Sequence, residues 1–282
     1  MLSILLPTDF SENAMNAIKY ALEFFKYQKT TFYFMHAYLN EFYDHDELKS
    51  SEVLEDILDG VRNDSKVNLD NLLNTIKKIA PNPIFTYHII SAYNTLVEEA
   101  NLNADTKNID LIVMGTNGKS NERHVVFGSQ TFQVLKYVQC PVLAIPSNYT
   151  NTQPKHILFP TNYMMPYKRR ELKLLSILAK SHKTHITVLH VSTNHRLSIR
   201  QEDNKAFIKD VLSENEVSFH QEDSRKIADT IKTYLKEKEI DMITMVNTQH
   251  SFLEDMLFSS NIDEVSIGLT IPILAMQNTA RF

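Results

Sequence analysis

The sequence repeats itself, and the repeat limits the folds open to it. Residues 1–8, Met-Leu-Ser-Ile-Leu-Leu-Pro-Thr, end an apolar run in Pro-Thr ahead of Asp9. Residues 156–161, His-Ile-Leu-Phe-Pro-Thr, do the same ahead of Asn162. The strand-like run Thr31–Ala37 is matched by Thr184–Val191, each carrying a histidine near its end (His36 and His190). Ile109–Gly115 and Pro141–Ile145 recur 131 residues later as Ile240–Val246 and Pro272–Met276. The first copy carries 23 more residues between its histidine and its fourth strand. Self-similarity on this scale means one folding unit written twice. The polar stretch Ser147–Pro154 separates the copies, so domains are expected over 1–147 and 154–282.

Within each copy, short β-branched runs alternate with longer helical patterns. In the first, strands are expected near 2–6, 31–37, 84–90, 110–114 and 142–146, and helices near 11–27, 50–79, 93–105 and 129–138. In the second, strands fall near 156–160, 186–191, 217–220, 241–246 and 272–276. Asp9-Phe10-Ser11 is a helix-start signal, after which Ala14, Ala17, Ile18, Ala21, Leu22 and Phe25 line one face. Strands such as Leu111–Met114 are apolar on both faces, as a parallel sheet covered by helices requires. The expected fold is α/β: two tandem doubly wound domains, each a five-stranded parallel sheet with helices on both faces.

Average usage of roughly 7% would give about 20 glycines, and this chain has five: Gly60, Gly115, Gly118, Gly128 and Gly268. Three of them lie within fourteen residues, spaced G-x2-G-x9-G and followed by Ser129. Glycines at a strand's carboxyl end permit positive φ and close approach of backbone N–H groups to a ligand. Gly128-Ser129 opens a helix, whose free N–H groups and dipole favour an anion. Phosphate is the natural candidate, with Ser129 and Thr131 offering hydroxyls. Asp9, at the end of the first strand, would face the same crevice and accept hydrogen bonds from a sugar or base. Two plainer readings stand beside these: the glycines as turn residues, and Asp9 as a helix cap. Neither G-x-x-x-x-G-K-[ST] nor G-x-G-x-x-G occurs.

These residues resemble the universal stress protein family in its ATP-binding branch. The resemblance rests on Ile4–Ser11, Met35-His36-Ala37, Asp110–Gly115, the glycine spacing ending Gly128-Ser129, and Cys140–Leu143. It implies an adenine nucleotide, ATP or AMP, with Mg2+ as an optional companion. By the family pattern, Pro7, Thr8, Asp9 and Ala37 line the adenosine end. Met114, Gly115, Asn117, Gly118, Gly128, Ser129, Gln130 and Thr131 surround ribose and phosphates, with Gln130 a departure from the usual small or β-branched residue. Lys119 and Arg123 lie on the intervening loop and read equally well as solvated charges. The resemblance further implies homodimerisation through sheet edges, and a role as a stress-response regulator or chaperone-like factor with at most slow ATP hydrolysis. No catalytic and no metal-ligating residue is assigned.

The second copy departs from this pattern. Gly115, Gly118, Gly128 and Ser129 are matched by Val246, Gln249, Ser259 and Ser260, and Asp9 by Asn162. Side-chain bulk and the acidic pair Glu254-Asp255 oppose phosphate there, so the second domain is expected to keep the fold without the site. With 29 basic against 34 acidic side chains and no basic stripe, the chain is not expected to bind nucleic acid. A single cysteine, Cys140, excludes a disulfide framework. No signal peptide or membrane-length apolar run is read, and the expected location is cytoplasmic. His36 and His190 are expected to share a structural role, and Asp44-His45-Asp46 to be a solvated loop. Two rival classes remain: a partner-binding scaffold of the same fold without nucleotide, and a nucleotidyl-transferring or ATP-pyrophosphatase relative, whose HxGH or SGGxDS signatures are missing.

Overall fold

The computed structural model describes residues 1–44, 54–116, 127–247 and 270–277. The chain divides between two compact units at Val142 and Leu143. In the first, β1 (Leu2–Pro7), β2 (Thr30–Ala37), β3 (Phe85–Ala92) and β4 (Leu111–Gly115) form a parallel sheet in the order β3-β2-β1-β4. β5 (Val142–Ile145) begins where the chain leaves this unit. The helices are α1 (Glu12–Phe24), α2 (Leu39–Tyr43), α3 (Leu54–Ile79), α4 (Leu96–Thr106) and α5 (Ser129–Tyr137). β1 pairs with β2 on one side and with β4 on the other; Leu5 is opposite both Tyr33 and Ile112. Strand order therefore reverses between β1 and β4. Right-handed crossovers running in opposite directions place their helices on opposite faces of the sheet. A crevice opens at that reversal, beyond the strands' carboxyl ends.

Local chemistry explains the elements. Ser11 caps α1 by accepting the Ala14 N–H, and Ala14, Ala17, Ile18, Ala21 and Leu22 bury one face of the helix. α1 stops at Phe24, three residues short of the expected end, because Phe25 already leaves helical geometry. Ile4, Leu5 and Leu6 of β1 and every residue of β4 are buried, the two-sided burial that continuous apolar strands announce.

The second unit repeats the plan. β6 (His156–Pro160), β7 (His185–Val191), β8 (Val217–Glu222), β9 (Met242–Asn247) and β10 (Ile273–Gln277) run parallel in the order β10-β9-β6-β7-β8. Its helices are α6 (Arg169–His182), α7 (Ile199–Val211) and α8 (Ile227–Glu237). One aspartate ties the first and fourth strands of each copy together. Asp110 accepts the Ser3 N–H at 3.0 Å, and Asp241 accepts the His156 N–H at 3.0 Å. The extra residues of the first copy are visible as α2 and a 26-residue α3, where the second has the 13-residue α7. Among the described residues, no helix is long and apolar enough to cross a membrane.

A candidate nucleotide cavity in the first unit

At the reversal point the first unit encloses a cavity of about 280 Å³, close to the lower end of the roughly 300–1,000 Å³ common for small-molecule sites. The end of β1 supplies Pro7, Thr8 and Asp9, and the end of β2 supplies Ala37. β4 supplies Met114 and Gly115, and the start of α5 supplies Gly128, Ser129, Gln130 and Thr131. These are ten of the twelve residues singled out in the sequence. The other two, Asn117 and Gly118, lie outside the described residues, as do Lys119, Arg123, His45 and Asp46.

The geometry of α5 suits an anion. Gly128 is its N-cap at φ −61° and ψ 158°, with no side-chain cap. The Gly128 N–H donates to the Thr116 carbonyl, and the first intrahelical bond runs from Phe132 N–H to Gly128 O. The N–H groups of Ser129, Gln130 and Thr131 thus precede the helix's own ladder and have no intrahelical acceptor. They border the cavity at the positive end of the dipole. By contrast, α1 closes its own start with Ser11.

Two expected contacts are corrected. Thr131 is buried, and its hydroxyl donates to the Gly115 carbonyl at 2.9 Å. That spends the hydroxyl's single proton, so the Thr131 side chain fastens α5 to the end of β4 and offers no donor to phosphate. Among the described residues no glycine has positive φ; the φ of Gly128 is one that any residue adopts. The left-handed residue falls elsewhere, at Phe10 with φ 62°, and its repeat Tyr163 has φ 57°. Both loops are held alike. Phe10 N–H donates to Thr8 Oγ1 and Ser11 N–H to Asp9 Oδ1, while Tyr163 N–H donates to Thr161 Oγ1 and Met164 N–H to Asn162 Oδ1. The helix cap is Ser11 rather than Asp9, which accepts the Ser11 N–H within the turn while still bordering the cavity.

The strand-end histidines take up these aromatic rings. Phe10 lies 4.7 Å from His36 and Tyr163 lies 5.0 Å from His190, centroid to centroid. His190 Nδ1 is 2.9 Å from the Thr161 carbonyl. His36 Nδ1 is 3.0 Å from Ser65 Oγ on α3, which is 2.7 Å from Ser91 Oγ on β3. The shared structural role holds, but His36 also lines the cavity. So do Ala14, Asn40, Glu41 and Leu96, none of which the sequence marks as a site residue. Cys140 is buried, its thiol 3.4 Å from the Ile109 carbonyl, in a packing role.

The matching corner of the second unit is built differently. Tyr167, in the segment between β6 and α6, sets its hydroxyl against Thr161 Oγ1, the counterpart of Thr8, and its ring packs 5.8 Å from that of Phe159. Burial pushes the Tyr167 phenol up to about 12, partly offset by the bond to Thr161. β9 does not break at Val246, the counterpart of Gly115. It continues to Asn247, whose side-chain amide donates to Gln277 at 2.8 Å. Gln249, Glu254, Asp255, Ser259 and Ser260 lie outside the described residues.

Residues 1–146 match the model of the universal stress protein family. The chain is similar to the universal stress protein MJ0577 of Methanocaldococcus jannaschii, with 27% identity over 155 residues, covering 50% of this chain and 93% of that protein. It is also similar to universal stress protein MJ0531 of the same organism, 28% identical over 143 residues, 50% of this chain and 80% of that one. Among solved structures, a universal stress protein from Archaeoglobus fulgidus superposes at a TM-score of 0.67 with 18% identity, over 98% of this chain and 96% of that one. That likeness extends the fold to both units.

Proposed function

The chain belongs to the universal stress protein family, and from that premise we propose that its first unit binds an adenine nucleotide, ATP or AMP. One observation carries the reading: a single cavity gathers the ends of β1, β2 and β4 and the uncapped start of α5. Phosphates would sit on the N–H groups of Ser129, Gln130 and Thr131, where the helix dipole complements their charge. The nucleoside would extend along Asp9 towards Ala37 and α2. The site would hold its nucleotide and report its presence to a partner in a stress response, with at most slow hydrolysis. The second unit would serve as a fold partner without a site, its corner taken by the Tyr167–Thr161 contact.

The test is acid extraction of the purified protein, chromatography of any released nucleotide, and calorimetric titration of ATP and AMP into stripped protein. Release or binding of an adenine nucleotide at one site per chain is the expected result. Protein that neither carries nor binds one would leave the partner-binding scaffold as the reading.

A further inference from the structure

The end of the first unit opposite the nucleotide cavity carries a hollow of its own. It lies beyond the amino ends of the strands, between the closing turns of α1 and α3, and measures about 410 Å³. Leu22, Ile79, Pro81 and Phe85 give it an apolar lining, with Lys19 and Lys26 beside them. Asn82 pins the two walls together. Its amide donates to the Lys26 carbonyl at 2.9 Å, and its Oδ1 accepts the Ile84 N–H at 3.2 Å. The hollow is therefore built in advance of any ligand, which lowers the ordering cost of binding. Apolar surface continues around it into solvent: Tyr27 is 79% exposed, Ile79 50% and Ile84 38%. Single exposed apolar side chains need no explanation, but three on the segments that bound one hollow do.

Charge narrows what could sit there. The chain as a whole is acidic, with 34 acidic against 29 basic side chains. Residues 19–29 and 75–85, which bound the hollow, carry Lys19, Lys26, Lys29, Lys77 and Lys78 against Glu23 alone. Glu23 and Lys26 pair with each other, and the other four lysines make no ion pair among the described residues. The carboxyl ends of α1 and α3 call for positive charge, but at about half a unit each they balance roughly one lysine of the four. A surplus of positive charge therefore surrounds a concave apolar site. We propose that this hollow docks an acidic segment of a partner protein, which seats one large apolar side chain between α1 and α3 and lays carboxylates on the flanking lysines. A bilayer surface would reach the lysines without entering the hollow. The docking site shares no residue with the nucleotide cavity, so either can hold without the other.

The experiment pans a phage-displayed library of short random peptides against the full chain. Fluorescence anisotropy then measures the enriched peptides on wild type, Lys19→Glu, Ile79→Ser and, as a charge control in the second unit, Lys238→Glu. Enriched peptides are expected to combine Asp or Glu with a Leu, Ile, Phe or Trp. Lys19→Glu turns one attraction into a repulsion and should weaken them roughly fivefold. Ile79→Ser removes apolar contact and should cost roughly tenfold. Lys238→Glu should leave them unchanged. Lys19 is exposed, so its variant should keep the wild-type urea midpoint and decides even if Ile79→Ser does not fold. No enriched peptide, enriched peptides without acidic residues, or affinities that Lys19→Glu leaves unchanged overturn the proposal. A parallel arm sediments the protein with phosphatidylserine vesicles, and wild type is expected to stay in solution. Vesicle binding that is lost in Lys19→Glu would assign this end to a membrane surface and overturn the peptide site.

Discussion

The Thr131 hydroxyl donates to the carbonyl of Gly115 at 2.9 Å, tying the first turn of α5 to the last residue of β4. Both groups are buried, so replacing Thr131 with valine keeps the shape and strands the carbonyl. The expected cost is about 1–3 kcal/mol of stability, read as a lower urea midpoint. Nucleotide affinity, measured where both proteins are fully folded, should change little. A large loss of affinity without loss of stability would return the Thr131 hydroxyl to the ligand's donors.

Ser129 tests the helix terminus itself. It is the first residue of α5, and Gly128 before it sits at φ −61° and ψ 158°, geometry that a following proline accepts. Ser129→Pro therefore removes one backbone N–H and one hydroxyl while leaving the helix start intact. A hydrogen bond to a charged group is worth about 1.5–3 kcal/mol, so ATP affinity should fall roughly 10- to 100-fold with the urea midpoint nearly unchanged. Undiminished ATP binding would move the phosphates off α5.

What the sequence disclosed follows from how each signal is encoded. Pro7-Thr8-Asp9 and Gly128-Ser129 were legible because they stand at strand ends and a helix start, and because the second copy repeats the frame around them. Asn40 and Glu41 were not, since α2 is five residues long and leaves no periodic trace. His36 read as a strand residue because alternation reports which face a side chain takes, not that a crevice opens beside it. Among the described residues the left-handed positions of these two strand-end loops fall at Phe10 and Tyr163 rather than at a glycine. There the turn bonds and the contact with the histidine ring offset a penalty that glycine would have avoided.

Glycine scarcity has a testable consequence at Lys183. This exposed residue caps α6 at φ 51° and ψ 49°, with its N–H bonded back to Ala179 and Lys180. A non-glycine residue there bears about 1–2 kcal/mol of left-handed strain, against roughly 0.5–1 kcal/mol of extra unfolded-state freedom for glycine. Lys183→Gly should therefore stabilise the protein by roughly 0.5–1 kcal/mol, seen as a higher urea midpoint. A lower midpoint would show that the lysine side chain matters more than its backbone.

The corner of the second unit should show itself at high pH. Burial raises the Tyr167 phenol to about 12, while an unfolded tyrosine titrates near 10. Below pH 10 both states are protonated and the full stability is present. As the pH climbs from 10 towards 12 the unfolded chain ionises first, and stability is lost. For a two-unit difference the loss approaches roughly 2–3 kcal/mol. Burial also raises Tyr163 and Tyr149, so wild type should lose stability steeply in this window. Tyr167→Phe gives up the hydroxyl contact with Thr161 and should be modestly weaker at pH 8. Its urea midpoint should then fall less between pH 10 and 11.5, so that the two curves converge. Curves that stay parallel across the window would mean that Tyr167 ionises as freely folded as unfolded. The hydroxyl would then be open to water rather than held against Thr161.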